Sequence, residues 1–460
     1  MRKVFLKMLC LAVLIAGPMA FSWAQEDQRI DFSGYNIVFV SFDALQAAHT
    51  HCLGYSKETT PQIDAFASKG FLFTQAIAQS SWTVPSSMSW FTSMYPSEHR
   101  VVNKYSQYDG EKKVFSNLTE LSPGVVTLAE ILRENGYVTG GFTGDAGVSA
   151  KFGFGKGFDV YVDDKKFAGL DHSVPPAIEW LRANKDRKFM VFLHGYDSHG
   201  QHDPAEGYTL RFLGAPYKGT LKGGKEEQGL LRERGLNEGR IQLTKEDVRF
   251  WRALYDEKIY DANQRFKAFV DELNNLGLMD KTVIVLTADH GTEFYEHQRF
   301  DHGFSLYDEL IHVPLVIYLP GVKAGKTITD QVRGIDLMPT ILDLLKITLT
   351  DKEAAQMRGR SLVPLLKGAH VQLDAYTETD YRLYTHKRAL RTSDGWKFIY
   401  ALESDQKELY NLNKDPQEKH NLVNVEQRKA YELEQQLFTW LKSMPLKSGN
   451  YSKESMIKEY

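Results

Sequence analysis

Asn36-Ile37-Val38-Phe39-Val40-Ser41-Phe42 is a nearly unbroken apolar run that stops at Asp43, and two later stretches repeat the pattern. Lys188-Phe189-Met190-Val191-Phe192-Leu193 stops at His194, and Thr282-Val283-Ile284-Val285-Leu286-Thr287 stops just before Asp289-His290. Runs that are apolar without alternation belong to strands buried on both faces, as in a parallel sheet covered by helices. In open α/β sheets ligands gather at the carboxyl ends of strands. Each of these strands delivers polar, metal-competent residues at that end, so one pattern points to a fold and to a site.

Outward from these runs, β-branched segments alternate with helical patterns from Tyr35 onward. The alternation predicts an α/β fold over 30–370, with a mostly parallel central sheet sandwiched by helices. Val126 to Asn135 has helical spacing and stops at Gly136, and Lys245 to Leu276 reads as a long helix closed by Gly277. Residues 205–243 are rich in Gly and charge and too long for a simple connection. They read either as a flap near the site or as a solvated loop. Beyond residue 370, Ala389-Leu390-Arg391-Thr392 and Trp396-Lys397-Phe398-Ile399-Tyr400 read as short strands around a turn at Gly395, with a final helix from about Val425 to Lys442. This predicts a small C-terminal α+β subdomain over 371–460, an antiparallel sheet plus one helix.

The bulk properties narrow the partners. A chain of 460 residues with 42% hydrophobic content can bury a sizeable core, and a net charge of −3 offers no basic field for nucleic acid. Met1-Arg2-Lys3, an apolar stretch from about Met8 to Ala16 and then Ser22-Trp23-Ala24 satisfy the pattern of a cleaved signal peptide over 1–24. The apolar run is well short of the ~20 residues that span a bilayer. The expected product is therefore secreted or periplasmic, with no stable membrane insertion after cleavage. Cys10 lies inside the apolar segment rather than after it, which argues against a lipid anchor there. Cys52 is the one cysteine left, so no internal disulfide is expected, and nothing near it in sequence is cationic enough to favour a thiolate. Nothing in the sequence sets an oligomeric state.

Four residues carry the chemistry: Asp43, Thr83, Asp289 and His290. Oxygen and imidazole ligands on rigid strand ends suit a hard or borderline divalent cation. Thr83 sits in Ser81-Trp82-Thr83-Val84-Pro85-Ser86-Ser87, a turn leading into a helix with Met88 and Trp90. Its hydroxyl is either an N-cap or a metal-bound nucleophile beside helix N–H groups that receive an anion. His49, His51 and His99 read as hydrogen-bonded structural residues. Glu293 and His297 read as supports or rim of the pocket, or as solvated surface.

These residues also carry a family resemblance. Val40-Ser41-Phe42-Asp43-Ala44-Leu45, Leu53-Gly54-Tyr55, Thr60-Pro61-Gln62-Ile63-Asp64 and Trp82-Thr83-Val84-Pro85-Ser86 resemble the N-terminal signature of sulfatase-like hydrolases in the alkaline phosphatase superfamily. The likeness continues through Leu193-His194-Gly195-Tyr196-Asp197-Ser198-His199, Ala288-Asp289-His290-Gly291 and His302-Gly303-Phe304-Ser305-Leu306-Tyr307. It reaches Glu408-Leu409-Tyr410-Asn411-Leu412 in the subdomain. The resemblance implies a metal-dependent ester hydrolase, with Asp43, Thr83, Asp289 and His290 around one divalent ion (Mn, Zn or Ca). It also implies an optional second ion at Asp197, His199 and His302. With one ion, His199 and His302 become substrate contacts or general acids. Asn103, in His99-Arg100-Val101-Val102-Asn103, matches the stretch where phosphodiesterases of the superfamily hold a phosphoryl oxygen.

The departures bear on the substrate. Sulfatases carry a Cys or Ser that becomes formylglycine, and Thr83 cannot form that aldehyde. Ser87 replaces the motif's Arg, Thr143-Gly144-Asp145-Ala146 replaces a Gly-Lys-Trp-His segment, and Ala44 replaces the second Asp of a pair. The expectation is therefore hydrolysis of phosphate esters or phosphonates by a threonine nucleophile. The alternatives are sulfate-ester hydrolysis on sulfated sugars, and a catalytically degenerate homologue that binds a sulfated or phosphorylated glycan. The expected partner is a small anionic ester or such a glycan.

Overall fold

The computed structural model describes residues 30–444, apart from 103–104, 110–111, 118–119, 146, 201–209, 323–324 and 382–384. The signal peptide expected over 1–24, Asn103, Ala146 and the first part of the 205–243 insert lie outside the described residues.

The three apolar runs are adjacent strands at the centre of a nine-stranded sheet. Asn36–Phe42 lies between Phe189–Gly195 and Thr282–Ala288 and is parallel to both. Val138–Phe142 and Val160–Val162 extend the parallel set on one side. On the other side His312–Tyr318 runs antiparallel to Thr282–Ala288 and joins it to Phe71–Ile77, beyond which Lys326–Ile328 and Val332–Arg333 pair parallel to Phe71–Ile77. Every residue of the three central strands is buried, as unbroken apolar runs require. The register sets Ser41 opposite both His194 and Thr287, so the chain leaves all three strands at one level.

Helices cover the faces. Lys245–Asn275 buries Trp251, Leu254, Ile259, Phe266, Phe269 and Leu273, a stripe at helical spacing. Thr244 caps it, accepting from Asp247 N–H while Asp247 accepts from Thr244 N–H. Leu128–Glu134 starts with the same reciprocal cap between Thr127 and Glu130. The 205–243 insert is not coil throughout: it contains the helix Lys225–Asn237, with Glu226 and Glu227 in the first turn, where the helix dipole favours negative charge. Among the described residues no helix is long and apolar enough to cross a membrane.

In the C-terminal region Ala375–Tyr381, Thr385–Arg391, Trp396–Ala401 and Gln406–Asn411 form an antiparallel sheet, packed by the helix Gln427–Ser443. Leu390, Phe398, Leu409, Leu433 and Leu437 make a small core of their own there. The α/β sandwich with an antiparallel C-terminal sheet is thus the fold the sequence predicts. The antiparallel His312–Tyr318 strand is the feature the apolar pattern does not reveal, because direction leaves no mark on a run buried except at its two ends.

Candidate active site

Asp43 is the first residue beyond its strand, and its N–H donates to Gly195 O at 2.9 Å. The chain then turns through Ala44, whose φ of 58° lies in the left-handed region. Two bonds hold this costly turn: Ala44 N–H donates to Asp289 Oδ1 at 2.9 Å, and Tyr255 Oη–H donates to Ala44 O at 2.5 Å. Ala44 therefore makes its contribution through its backbone.

Asp289 Oδ1 also accepts His290 N–H at 2.8 Å. His290 Nδ1 faces Gly291 O at 2.6 Å, and a carbonyl can only accept, so the hydrogen sits on Nδ1 and the Nε2 lone pair faces the site. Nε2 lies 3.7 Å from Asp43 Oδ1 and 3.6 Å from Asp289 Oδ2. Thr83 is the first residue of the helix Thr83–Thr92, and its hydroxyl does not cap it. Instead Oγ1 lies 3.2 Å from Asp43 Oδ2 and 3.3 Å from His290 Nε2. Asp43, Thr83, Asp289 and His290 are thereby brought together.

His194 joins them, although the motif reading assigns it no role. Its Nδ1 shares a 2.6 Å hydrogen bond with Ser41 Oγ, and its Nε2 lies 3.6 Å from Asp43 Oδ2. The sequence does signal it: His194 lies at the carboxyl end of a buried strand, where Asp43 and Asp289 also lie. Donor atoms of Asp43, His194 and Asp289 all lie within 4.8 Å of one another. Asp289 Oδ2 and His194 Nε2 have no hydrogen-bond partner among the described residues. Two buried carboxylates this close repel unless a cation lies between them. Their oxygens with the His194 and His290 imidazoles therefore fit a divalent ion. Burial pushes the His194 imidazole down to about 4, against the pull of Asp289 and Asp197, and burial likewise lowers His290, which keeps both rings neutral as ligands must be.

His199 and His302 flank the cluster. The His302 ring centroid is 4.5 Å from that of His290 and 5.0 Å from that of His199, and His199 Nε2 is 3.9 Å from Asp43 Oδ1. Asp301, which no motif reading singles out, is ion-paired to His302 Nδ1. Burial would raise the Asp301 carboxyl, but His302 and then Arg232 outweigh it and hold it well below the usual carboxylate range. Burial, with His302 next, drives His199 well below its ordinary value.

Asp197 does not join His199 and His302. Its Oδ2 accepts Leu170 N–H at 2.8 Å and its Oδ1 is ion-paired to Arg265 of the long helix, so both oxygens are engaged away from the imidazoles. The carboxylate of the second metal set is thus an anchor between strand end and helix. Thr143 is likewise occupied, its hydroxyl donating to Val148 O at 3.0 Å, and Ser87 is fully buried.

A cavity of about 270 Å³ opens beside the site, lined by Phe167, His199, Lys225, Gln228, Arg232 and Asp301 among others. The insert helix supplies one wall, with Lys225 and Arg232 set beside Glu226, and Arg232 pairs with Asp301 across it. His49 and His51 bond Asp256 and Asp64, each at 2.6 Å, and His99 Nε2 lies 3.1 Å from Pro85 O, with its pKa lowered to about 3 by burial. Burial, then Asp64, pushes the half-buried Cys52 thiol up to about 12, far from a thiolate.

Residues 35–347 match the sulfatase family, more than half of the chain. The chain belongs to the sulfatase family. Residues 295–445 of this sulfatase-family chain also match the family described as N-sulphoglucosamine sulphohydrolase, C-terminal. Arylsulfatase K of Danio rerio is 30% identical over 191 residues, 40% of this chain and 35% of that protein, so the match spans about a third of that relative. Arylsulfatase K of Xenopus laevis is 23% identical over 376 residues, 73% of this chain and 66% of that protein. A protein solved in complex with its substrate D-glucosamine-2-N,6-O-disulfate superposes with a TM-score of 0.69 at 20% identity, covering 91% of this chain and 99% of the other. The phosphonate monoester hydrolase of Agrobacterium radiobacter superposes with a TM-score of 0.68 at 19% identity, covering 89% and 96%. These superpositions establish a shared fold.

Proposed function

We propose that this chain is an exported, metal-dependent hydrolase of phosphate esters or phosphonates, with Thr83 as nucleophile. The observation that carries the reading is the Thr83 hydroxyl, which touches Asp43 and His290 rather than capping its helix. Asp43, Asp289, His194 and His290 would hold the ion. A divalent ion there supplies the positive charge that stabilises a threonine alkoxide and the developing charge on the substrate.

The chain's own residues do the rest. Thr83 Oγ1 loses its proton to solvent water and forms a bond to phosphorus while the bond from phosphorus to the leaving oxygen breaks. His302, ion-paired to Asp301, is the group placed to protonate that oxygen, releasing an alcohol. Water then attacks phosphorus, passing one proton back to His302 as the bond from phosphorus to Thr83 Oγ1 breaks; phosphate or phosphonate leaves and the Thr83 oxygen regains its proton from solvent. The adjoining cavity, lined by Lys225, Glu226, Gln228 and Arg232, offers polar partners to the leaving alcohol.

A second reading, sulfate-ester hydrolysis on a sulfated sugar, is favoured by the family match and by the fold shared with a protein that binds a glucosamine disulfate. Its difficulty is chemical: Thr83 cannot supply the formylglycine gem-diol, and Ser87 stands in place of the family's Arg.

One experiment separates the readings. The mature chain, loaded with Mn or Zn, is assayed on nitrophenyl phosphate, bis(nitrophenyl) phosphate, a nitrophenyl phosphonate and a sulfated glucosamine. Turnover of a phosphorus ester that falls by about 10⁴-fold in Thr83→Ala is the expected result. No phosphorus turnover with metal bound rejects the first reading, and sulfate release lost in Thr83→Ala establishes the second.

A further inference from the structure

The chain leaving Asp289-His290 forms a short antiparallel pair, Glu293–Phe294 with Phe300–Asp301, carries His302, and re-enters the sheet at His312. A second cluster of ligating side chains is buried inside this segment. Glu293 is fully buried, and its Oε1 accepts the N–H groups of His297 at 2.7 Å and Arg299 at 3.0 Å. Its Oε2 has no hydrogen-bond partner among the described residues. Glu309 Oε1 lies 2.5 Å from His297 Nδ1. One donor atom from each of Glu293, His297 and Glu309 lies within 4.8 Å of the other two.

The histidine is held as a ligand would be. Its ring stacks on Tyr307 with centroids 3.6 Å apart, and Nε2 lies 3.0 Å from the carbonyl oxygen of Glu418. Since a carbonyl only accepts, the hydrogen is on Nε2 and the Nδ1 lone pair points at the carboxylates. A lone pair and a carboxylate oxygen at 2.5 Å share a proton, and an ion that replaced it would move the two groups slightly apart, since each would then lie about 2.0–2.2 Å from the metal. No lysine or arginine among the described residues is ion-paired to Glu293 or Glu309; Arg252 pairs with the neighbouring Glu296 instead, at 2.6 Å.

We propose that Glu293, His297 and Glu309 form a second divalent-cation site, suited to manganese or zinc and separate from the one beside Thr83. An ion would displace the proton shared by His297 and Glu309 and take Glu293 Oε2 as its third protein ligand. Two carboxylates and one imidazole suit a borderline first-row ion. A cleft of about 910 Å³, lined by Glu296, Glu309, Arg252 and Lys419 among others, provides an entry path. The site's role is structural. Gly291 N–H donates to Leu310 O at 2.9 Å, so an ion on Glu309 would fasten the segment that positions both His290 and His302.

The test uses the full mature chain, equilibrated with zinc or manganese and then desalted. Diffraction at the metal edge from wild-type crystals should show an anomalous peak between Glu293, His297 and Glu309, in addition to one at Asp43 and Asp289. Metal analysis should give about two equivalents per chain, with about one lost in Glu293→Gln and the other in Asp289→Asn. No anomalous peak at the Glu293 cluster overturns the proposal, as does an unchanged metal content in Glu293→Gln. Failure of the Thr83-side site would register separately, as a missing peak at Asp43 and Asp289. The wild-type measurement does not depend on how any variant folds.

Discussion

The Ser41 hydroxyl meets His194 Nδ1 at 2.6 Å inside the sheet, where neither side chain reaches solvent. That bond fixes the ring so that Nε2 faces Asp43, at the cost of one buried hydroxyl. Ser41→Ala should therefore weaken metal binding by about 10- to 100-fold while turnover at saturating metal changes little. Calorimetric titration of the metal-free protein checks it, and an unaltered affinity would show that stacking on Phe192, not the hydroxyl, sets the ring. Thr83 gives a sharper contrast. Thr83→Ser keeps an oxygen between Asp43 and His290 and should retain turnover within about tenfold, whereas Thr83→Val, which keeps the shape, should lose it about as Thr83→Ala does. Activity in the Val variant would mean that the hydroxyl is not the nucleophile. At this scale the sequence is legible where a residue's neighbours are its own strand end: Asp43, Asp289 and His290 announce themselves. Asp197 misleads because the group that captures it, Arg265, comes from a helix 68 residues later. Asp301 neighbours His302 in the sequence, but only the fold brings Arg232, 69 residues away, against it.

Elements place these residues through close backbone contacts, and Gly291 marks the tightest of them near the site. A Cβ built there would lie 2.1 Å from the carbonyl oxygen of Glu309, a backbone atom that cannot rotate away. Gly291→Ala must push the Thr282–Ala288 strand end and the Asp308–Ile311 turn apart, and His290, whose Nδ1 bonds Gly291 O, moves with them. Overpacking of this kind costs about 1–3 kcal/mol. The expected result is a folded protein with a lower thermal midpoint and turnover reduced by at least about tenfold. Wild-type turnover in Gly291→Ala would show that the strand end is not held by this contact. The elements themselves were largely readable, because full burial and amphipathic spacing leave strong patterns in the central strands and in Lys245–Asn275. The helix Lys225–Asn237 was not, since it has no apolar stripe and is identified by its place over the cavity rather than by periodicity.

Across the whole molecule, the C-terminal sheet is tied to the candidate site rather than appended to it. Tyr381, at the end of the strand Ala375–Tyr381, places its ring 5.7 Å from Trp82 and 6.2 Å from His302, and Thr379 Oγ1–H donates to Gly303 O at 2.7 Å. In the same strand, Glu378 Oε1 accepts from Ser97 N–H at 3.2 Å and Ser97 Oγ–H at 2.8 Å, which joins the sheet to the segment after the Thr83 helix. Arg388, wholly buried, stands 3.2 Å from Glu378 Oε2 and 3.0 Å from Asp380 Oδ2. One guanidinium thus serves two carboxylates. Burial, with Asp380 adding and Arg388 opposing, raises the Glu378 carboxyl from 4.5 to about 7. Asp380 moves the other way, since Arg388 and His386 outweigh its burial. A carboxyl raised in the folded state contributes stability that is fully present below its unfolded value and is lost as pH rises through the folded one. The Glu378 contribution should therefore disappear between about pH 4.5 and 7, lowering the thermal midpoint by a few degrees over that interval. Glu378→Gln keeps an oxygen for Ser97 and removes the titration, so its midpoint should vary less with pH across the same window. Scanning calorimetry of both proteins at pH 5 and pH 8, in the same metal buffer, decides it. Parallel slopes would mean that Arg388 holds Glu378 ionised throughout and that the seam is a plain ion pair, in which case Arg388→Met, leaving two buried carboxylates without their guanidinium, should destabilise by about 3–5 kcal/mol at neutral pH.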